Sequence, residues 1–277
     1  MDEHTAEFQY VNGQMRESFR DLLADFEKRN AHAVSLPNWV LNQAYGPHPR
    51  EVLDQRTADV DALGTVIYFH AGYWQSRDKS QFRFLAPGFN ALGWHTAWVN
   101  YPLCPDARMT DIVASAGKAL RHVAAQLLER GRPGPIVLCG HSAGAHLAIE
   151  LALEQAEGKC RSTPPIAGVV AISGIFDLQP LVQTSLNQRL NLDLASALAS
   201  SPSQRVGPGA APAVFMVGET ETPAFHAQSQ SMARLWQQHG NMAHRITVAG
   251  ADHFSILDSL TAPDGHVART MKSWAEA

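Results

Sequence analysis

Short apolar runs alternate with longer stretches of helical periodicity along most of the chain. Residues 65–70 (TVIYFH), 96–101 (TAWVNY), 136–139 (IVLC), 168–173 (GVVAIS), 213–218 (AVFMVG) and 245–248 (RITV) are apolar or β-branched and predict strands. Between and after them, residues 110–130, 143–157, 223–239 and 266–277 predict helices. In the first of these, Ile112, Ala116, Leu120, Val123 and Leu127 recur at three-to-four spacing, and Gly131 stands where a helix stops. Near-continuous apolar strands separated by helices require cover on both faces of a sheet. The pattern therefore predicts an α/β fold, a mostly parallel central sheet flanked by helices on both faces.

Two stretches break this rhythm. Residues 1–60 carry one helical run at 15–29 and then a segment punctuated by Pro37, Pro47 and Pro49, and are expected to form an N-terminal extension wrapping the sheet. Residues 177–212, rich in Ser, Ala, Asn and Gln, separate two predicted strands and are expected to form a cap or a substrate-side loop. With 277 residues and no internal repeat, the chain is expected to form a single domain over 1–277.

Composition narrows the class. A chain with 45% hydrophobic and 17% charged residues is neither disordered nor a coiled coil. A net charge of −4 without long runs of either sign predicts no nucleic-acid partner. No stretch reaches 18 consecutive apolar residues, and the first residues are acidic and polar, so neither a membrane span nor a signal peptide is expected. Cys104, Cys139 and Cys160 are scattered thiols without metal-finger spacing, which predicts a reducing compartment and cytoplasmic residence. With no HExxH and no Cys/His cluster, no metal is expected. The partner implied is a small molecule, and the oligomeric state is left open, a homodimer included.

Residues 136–139 lead directly into Gly140-His141-Ser142-Ala143-Gly144 and then a helical run. A serine at such a strand-to-helix turn takes a strained backbone, and its glycines stand where a Cβ would collide with neighbouring backbone. Ser142 is the candidate nucleophile. A hydroxyl is a weak nucleophile until a base takes its proton. Of the thirteen histidines, His253 follows the last predicted strand, at the sheet end where α/β folds place their sites. His95, His122, His141, His146 and His239 read as structural or surface positions. The acid that orients the base should follow residues 213–218. Glu221 is favoured, Glu219 is second, and Asp252 and Asp177 remain behind them. The small-residue loop His70-Ala71-Gly72-Tyr73-Trp74-Gln75 follows the first predicted strand, so the N–H groups of Gly72, Tyr73 and Ala143 are the expected oxyanion donors. Tyr73, Trp74 and Phe225 are candidate substrate-side aromatics, with a core anchor as the equal reading for Trp74. Asn187 reads equally as a substrate contact or a loop cap, and Cys139 as packing.

The segment from His70 to Gln75 resembles the HGGxW motif of the kynurenine formamidases (arylformamidases), a branch of the α/β-hydrolases. The elbow Gly-His-Ser-Ala-Gly-Ala-His-Leu-Ala is similar to theirs, as are residues 172–180, Ser185-Leu186-Asn187, Ser201-Pro202 and the stretch from Glu221 to Ser229. The resemblance runs from about Tyr45 to Leu257. It implies an α/β-hydrolase fold and a serine hydrolase with a Ser142, Glu221 and His253 triad. The implied reaction, a step of tryptophan catabolism, cleaves an aryl formamide such as N-formylkynurenine to arylamine and formate without a cofactor. A carboxylesterase of small acyl esters is the alternative, and a non-catalytic binding protein is the reading from another class. Two positions depart from the pattern. Glu221 stands where the family usually has Asp, and Ala71 stands where the motif has its first glycine. If that glycine requires φ > 0, alanine there costs about 1 kcal/mol and shifts the loop.

Overall fold

The computed structural model describes residues 2–14, 19–58, 60–131, 134–159 and 163–276. Two helices come first, α1 (Ala6–Tyr10) and α2 (Phe19–Ser35), then β1 (Trp39–Ala44), β2 (Val52–Arg56) and β3 (Gly64–Phe69). The chain continues through α3 (Ala86–Ala91), β4 (Trp94–Val99), α4 (Met109–Glu129), β5 (Ile136–His141), α5 (Ala143–Ala156) and β6 (Ile166–Ile172). It ends with α6 (Asn187–Leu190), α7 (Leu194–Ala199), β7 (Ala213–Gly218), α8 (Pro223–Gln238), β8 (Ala243–Val248) and α9 (His266–Ala275). The described strands form one sheet in the order β1-β2-β4-β3-β5-β6-β7-β8. From β4 through β8 neighbouring strands run parallel, while β2 is antiparallel to both β1 and β4.

β3 and β5 are buried at every position, as strands covered on both faces must be. Their side chains alternate between two cores. Ile67, Phe69 and Leu138 pack with Leu120, Leu147 and Trp236 of α4, α5 and α8. Val66, Tyr68 and Val137 pack with Phe26, Phe89 and Met271 of α2, α3 and α9. Every parallel strand thus ends at one rim of the sheet, between two helical layers.

Three boundaries differ from the sequence reading. The run expected as a helix over 15–29 is described as helix from Phe19 to Ser35, the residues before 19 lying outside the described set. It runs on past Arg29 through helix-tolerant Ala31 and Ala33 until Pro37 disfavours helical backbone at the residue before it. The expected extension also contributes β1 and β2 to the sheet itself. Their pattern is hidden because β1 is an edge strand with little burial, and because β2 carries Asp54, whose buried carboxylate pairs with Lys79 at 3.0 Å and Arg83 at 2.6 Å. A charge in mid-strand reads against β propensity until its partners are seen. Residues 177–212 hold the short helices α6 and α7 rather than a bare loop. Cys160 lies outside the described residues.

Candidate active site

β5 passes into α5 through Ser142, whose backbone sits at φ +56° and ψ −116°, held by its N–H donating to Ile172 O at 2.8 Å. Such a conformation costs a non-glycine residue on the order of 1–3 kcal/mol and persists only where the surroundings impose it. Here the flanking glycines impose it. A Cβ on Gly140 would lie 2.1 Å from Gly144 O, and one on Gly144 would lie 1.9 Å from Phe69 O. The first turn of α5 is therefore pressed onto the end of β3, and the serine is thrust out at the rim of the sheet. Its hydroxyl is buried and makes no hydrogen bond among the described residues.

The loop after β8 brings His253 to the same rim. Asp252 shapes that loop, its carboxylate accepting the N–H groups of Phe254 and Ser255 at 2.9 Å each. His253 Nδ1 donates to Glu221 Oε2 at 2.7 Å, and the two side chains are 4% and 0% exposed. Glu221 Oε1 accepts from Ser173 Oγ at 2.5 Å and from Gly218 N at 2.7 Å. A carboxylate so bonded at Nδ1 fixes the tautomer with its free lone pair on Nε2. Behind His253, His141 Nε2 donates to His253 O at 2.7 Å, and the two rings lie 4.8 Å apart. Burial drives His141 well below the ordinary imidazole range, so it acts there as a neutral donor.

The other carboxylates considered for this role do different work. Glu219 accepts Gly250 N at 2.7 Å and ties the loop after β7 to the one after β8. Asp177 accepts Gln179 N at 3.0 Å in a local turn. Among the described carboxylates, Glu221 is the one hydrogen-bonded to His253.

The loop after β3 carries three consecutive left-handed residues, Gly72 at φ +130°, Tyr73 at +50° and Trp74 at +56°. Gly72 is required, since a Cβ there would lie 2.2 Å from Ser76 O. Ala71 itself has negative φ and is buried, so the alanine is accommodated without the strain expected of it. The loop is tied down from both sides. Trp74 O accepts Cys104 N at 2.8 Å, and Tyr101 OH donates to His70 O at 2.7 Å. Arg50 Nη2 donates to Arg77 O at 3.0 Å, and its Nε donates to Tyr101 O at 2.8 Å. The main-chain N–H groups of Gly72, Tyr73 and Ala143 make no hydrogen bond among the described residues.

Of the aromatic candidates, Phe225 is fully buried with its ring 4.7 Å from that of His253. Tyr73 is half-buried and donates its hydroxyl to Tyr10 O. At two positions where the sequence left a substrate contact and a structural role equally open, the contacts seen are structural. Trp74 is 0% exposed and packs edge-on against His146 at 5.0 Å, so it anchors the loop instead of lining a pocket. Asn187 spends its amide on Val182 O, Leu192 O and Leu192 N at 2.8–3.1 Å, which makes it a loop cap. Cys139 is buried inside β5, its thiol pushed up by burial, and serves packing.

The sequence reading missed two contributors. Ser173 directly follows β6, and a small polar residue at the carboxyl end of a central strand was the available signal. The other is the N-terminal segment. Thr222, next to Glu221, donates to Gln9 O at 2.6 Å, and Ala224 N donates to Gln9 Oε1 at 2.9 Å. Gln228 Nε2 donates to Tyr10 OH at 2.8 Å, and the Tyr10 ring lies 5.6 Å from Phe225. Glu7 accepts both the N–H and the hydroxyl of Ser185 at 2.7 and 2.6 Å. Helix α1 is thus strapped across the loop that carries Glu221. Among the described residues no group of three or more His, Cys, Asp or Glu is disposed to hold a metal ion, and no helix is long and apolar enough to cross a membrane.

A mostly parallel sheet with a strained serine at its central strand-to-helix turn defines a hydrolytic enzyme of the α/β-hydrolase class, and residues 66–196 match the family described as alpha/beta hydrolase fold. The chain is 31% identical to the kynurenine formamidase of Salmo salar over 247 residues, 86% of this chain and 83% of that protein. It is also 31% identical to that of Danio rerio over 235 residues, 82% and 79% of the two chains. A solved structure from Silicibacter sp. tm1040, described as a candidate thioesterase, superposes with a TM-score of 0.84 at 29% identity, covering 97% of this chain and 98% of that one. The chain belongs to the kynurenine formamidase family of α/β-hydrolases.

Proposed function

We propose that this hydrolase removes the formyl group from an aryl formamide such as N-formylkynurenine, with Ser142, His253 and Glu221 as its catalytic triad. The observation that carries the reading is the 2.7 Å bond from His253 Nδ1 to a Glu221 carboxylate that has no solvent exposure. Ser142 Oγ attacks the formyl carbon as His253 Nε2 takes its proton. The Nδ1 proton stays on His253, hydrogen-bonded to Glu221, which stabilises the imidazolium that forms. Negative charge gathers on the former carbonyl oxygen, where the N–H groups of Gly72, Tyr73 and Ala143 stabilise it without reorganising. Collapse breaks the C–N bond, and His253 returns the proton to the departing arylamine nitrogen. Water then adds to the formyl ester of Ser142 by the same route in reverse, releasing formate and restoring the hydroxyl.

Crowding around the base supports a small acyl group. Tyr10, Tyr73 and Phe225 close one side of His253, where a long acyl chain would need space. The buried thiols of Cys104 and Cys139 support residence in a reducing compartment such as the cytoplasm.

The test is a comparison of kcat/KM for N-formylkynurenine with a series of p-nitrophenyl esters from formate to hexanoate. Each methylene a fitted pocket cannot accept changes discrimination by about 1–3 kcal/mol. The expected result is a steep fall beyond acetate, with the formamide at or above the best ester. Preference for butyrate or hexanoate and indifference to the formamide would assign the site to a carboxylesterase, which uses the same triad.

A further inference from the structure

Tyr73 carries one of the three oxyanion donors on an unfavourable backbone. It is a bulky residue in the left-handed region at φ +50°, between Gly72 and Trp74, which share that handedness. Such a conformation persists only where the surroundings impose it. Glycine adopts it freely, and Gly72 O also accepts Gln75 N and Ser76 N at 3.0 Å each. Trp74 is pinned by full burial and by the bond from Cys104 N to its carbonyl. Between them, neither the N–H nor the carbonyl of Tyr73 makes a hydrogen bond among the described residues. Its polar tether is the phenol, which donates to Tyr10 O.

Tyr10 ends α1, and the last carbonyls of a helix have no partner within it. Two of these carbonyls are capped by hydroxyls from two different loops. Gln9 O accepts from Thr222 Oγ1 at 2.6 Å, and the next carbonyl, Tyr10 O, accepts from Tyr73. Thr222 directly follows Glu221, so adjacent carbonyls of one helix hold the loop that carries the acid and the loop that carries the oxyanion donor. Further bonds fix the helix itself. Gln9 Oε1 accepts Ala224 N at 2.9 Å, Gln14 Nε2 donates to Thr222 Oγ1 at 2.8 Å, and Gln228 Nε2 donates to Tyr10 OH at 2.8 Å. A Cβ on Gly13 would lie 2.6 Å from Thr222 Cγ2, so the chain leaving α1 is pressed onto the same threonine. A helix of 5 residues does not hold itself together in water, so α1 forms on these contacts and a shift of either loop is felt by the other.

We propose that Tyr73 is a positioning residue whose phenol, anchored on the end of α1, holds its own main-chain N–H aimed at the oxyanion, and that α1 couples this donor to the loop holding Glu221. The inference rests on the triad and oxyanion loop of the reading above. It does not depend on the acyl donor, since formamide and ester both pass through a tetrahedral oxyanion.

The experiment compares wild type, Tyr73→Phe, Thr222→Val and the double variant on N-formylkynurenine and on p-nitrophenyl acetate, with active enzyme counted by end-point fluorophosphonate titration. Tyr73→Phe keeps the ring and removes the tether. Losing an oxyanion donor outright costs about 10²- to 10³-fold in kcat, so misaligning one should cost roughly 10- to 100-fold per labelled site, with KM within twofold of wild type. The inhibition constant of phenylboronic acid, whose serine adduct places a tetrahedral boronate oxygen among the same donors, should rise by a similar factor. A merely structural role lowers the labelled fraction and leaves both of these readouts unmoved. Thr222→Val should lower kcat at least threefold, and the double variant should fall short of the product of the two single losses by at least threefold, because both open one clamp. Tyr73→Phe within twofold of wild type in kcat and in boronate inhibition overturns the positioning role, and so does a loss carried by KM alone. Losses that multiply in full overturn the coupling through α1. A wild type that ignores the formamide while the ester shows these effects retains the clamp and loses the formamidase assignment. A wild type that hydrolyses the formamide while neither substrate shows them loses the clamp alone.

Discussion

Replacing Ser173 with alanine tests how the acid is held without touching the histidine or the nucleophile. Ser173 Oγ donates to Glu221 Oε1 at 2.5 Å, and the acid's side chain has 0% exposure, so water has no ready access to replace the lost donor. A hydrogen bond to a charged partner contributes about 1.5–3 kcal/mol. At about 1.36 kcal/mol per tenfold in rate, full expression in the transition state lowers kcat by roughly 10- to 150-fold. The Gly218 N–H at 2.7 Å remains and keeps the carboxylate partly oriented, which favours the lower half of that range. The assay is a double-mutant cycle with Glu221→Gln, scored on kcat/KM and accompanied by thermal melts. Glu221→Gln alone should cost about 10²- to 10⁴-fold, and Ser173→Ala should add less than threefold in its background, since the charge it held is gone. Glu219→Gln serves as the control and should cost less than tenfold, because that carboxylate bonds Gly250 and not the histidine. Full additivity of the two substitutions, or Ser173→Ala within twofold of wild type, would refute the positioning role.

Two further outcomes follow from burial. Burial depresses His70 and His146 to about 4 and also drives His141 well below the ordinary imidazole range, so the unfolded chain binds protons that the native one refuses. The stability these groups contribute is fully present above the ordinary histidine pKa of about 6.5 and is lost as pH falls toward 4, at about 1.4 kcal/mol per pH unit for each histidine. Chemical denaturation at pH 7, 5.5 and 4.5 should show that decline, and a flat profile contradicts it. Tyr10→Ala removes the ring tilted against Phe225 and the hydroxyl that Gln228 holds, and should raise the butyrate-to-acetate ratio of kcat/KM at least tenfold in the ester series. An unchanged ratio would mean that α1 takes no part in limiting the acyl group.

The central strands and the elbow were legible because their chemistry is local. A run buried on both faces has no polar positions to confuse it, and the glycines of 140–144 carry the requirement for close backbone approach in their own identity. β1 and β2 were illegible for the converse reason. An edge strand lacks the buried face that writes a pattern, and the charge of Asp54 makes sense only once Lys79 and Arg83 are folded against it. The sequence favoured Glu221 over Glu219, but the contacts that distinguish the two are not local. Both follow the same strand, and what separates them is which carboxylate meets Ser173 and Gly218 N and which meets Gly250 N. Helix α1 has five residues, and its partners lie at Ser185, Thr222, Ala224 and Gln228, more than 170 positions away. Nothing within the segment announces where it docks. Trp74 shows the limit of reading a motif by proximity, since adjacency to Gly72 in sequence does not reveal that its indole is fully buried against His146.

The most direct test of the account is formate release from N-formylkynurenine by wild type and Ser142→Ala, followed together with covalent labelling by a serine-reactive fluorophosphonate. Ser142 lies in a turn whose strain is imposed by Gly140 and Gly144, which the substitution leaves in place, so the variant should fold as the wild type does. The account predicts one label per wild-type chain, located on the peptide containing Ser142, and a loss of about 10⁴-fold or more in kcat with no labelling in the variant. Near-normal formate release by Ser142→Ala, or a label on any other serine, would contradict it.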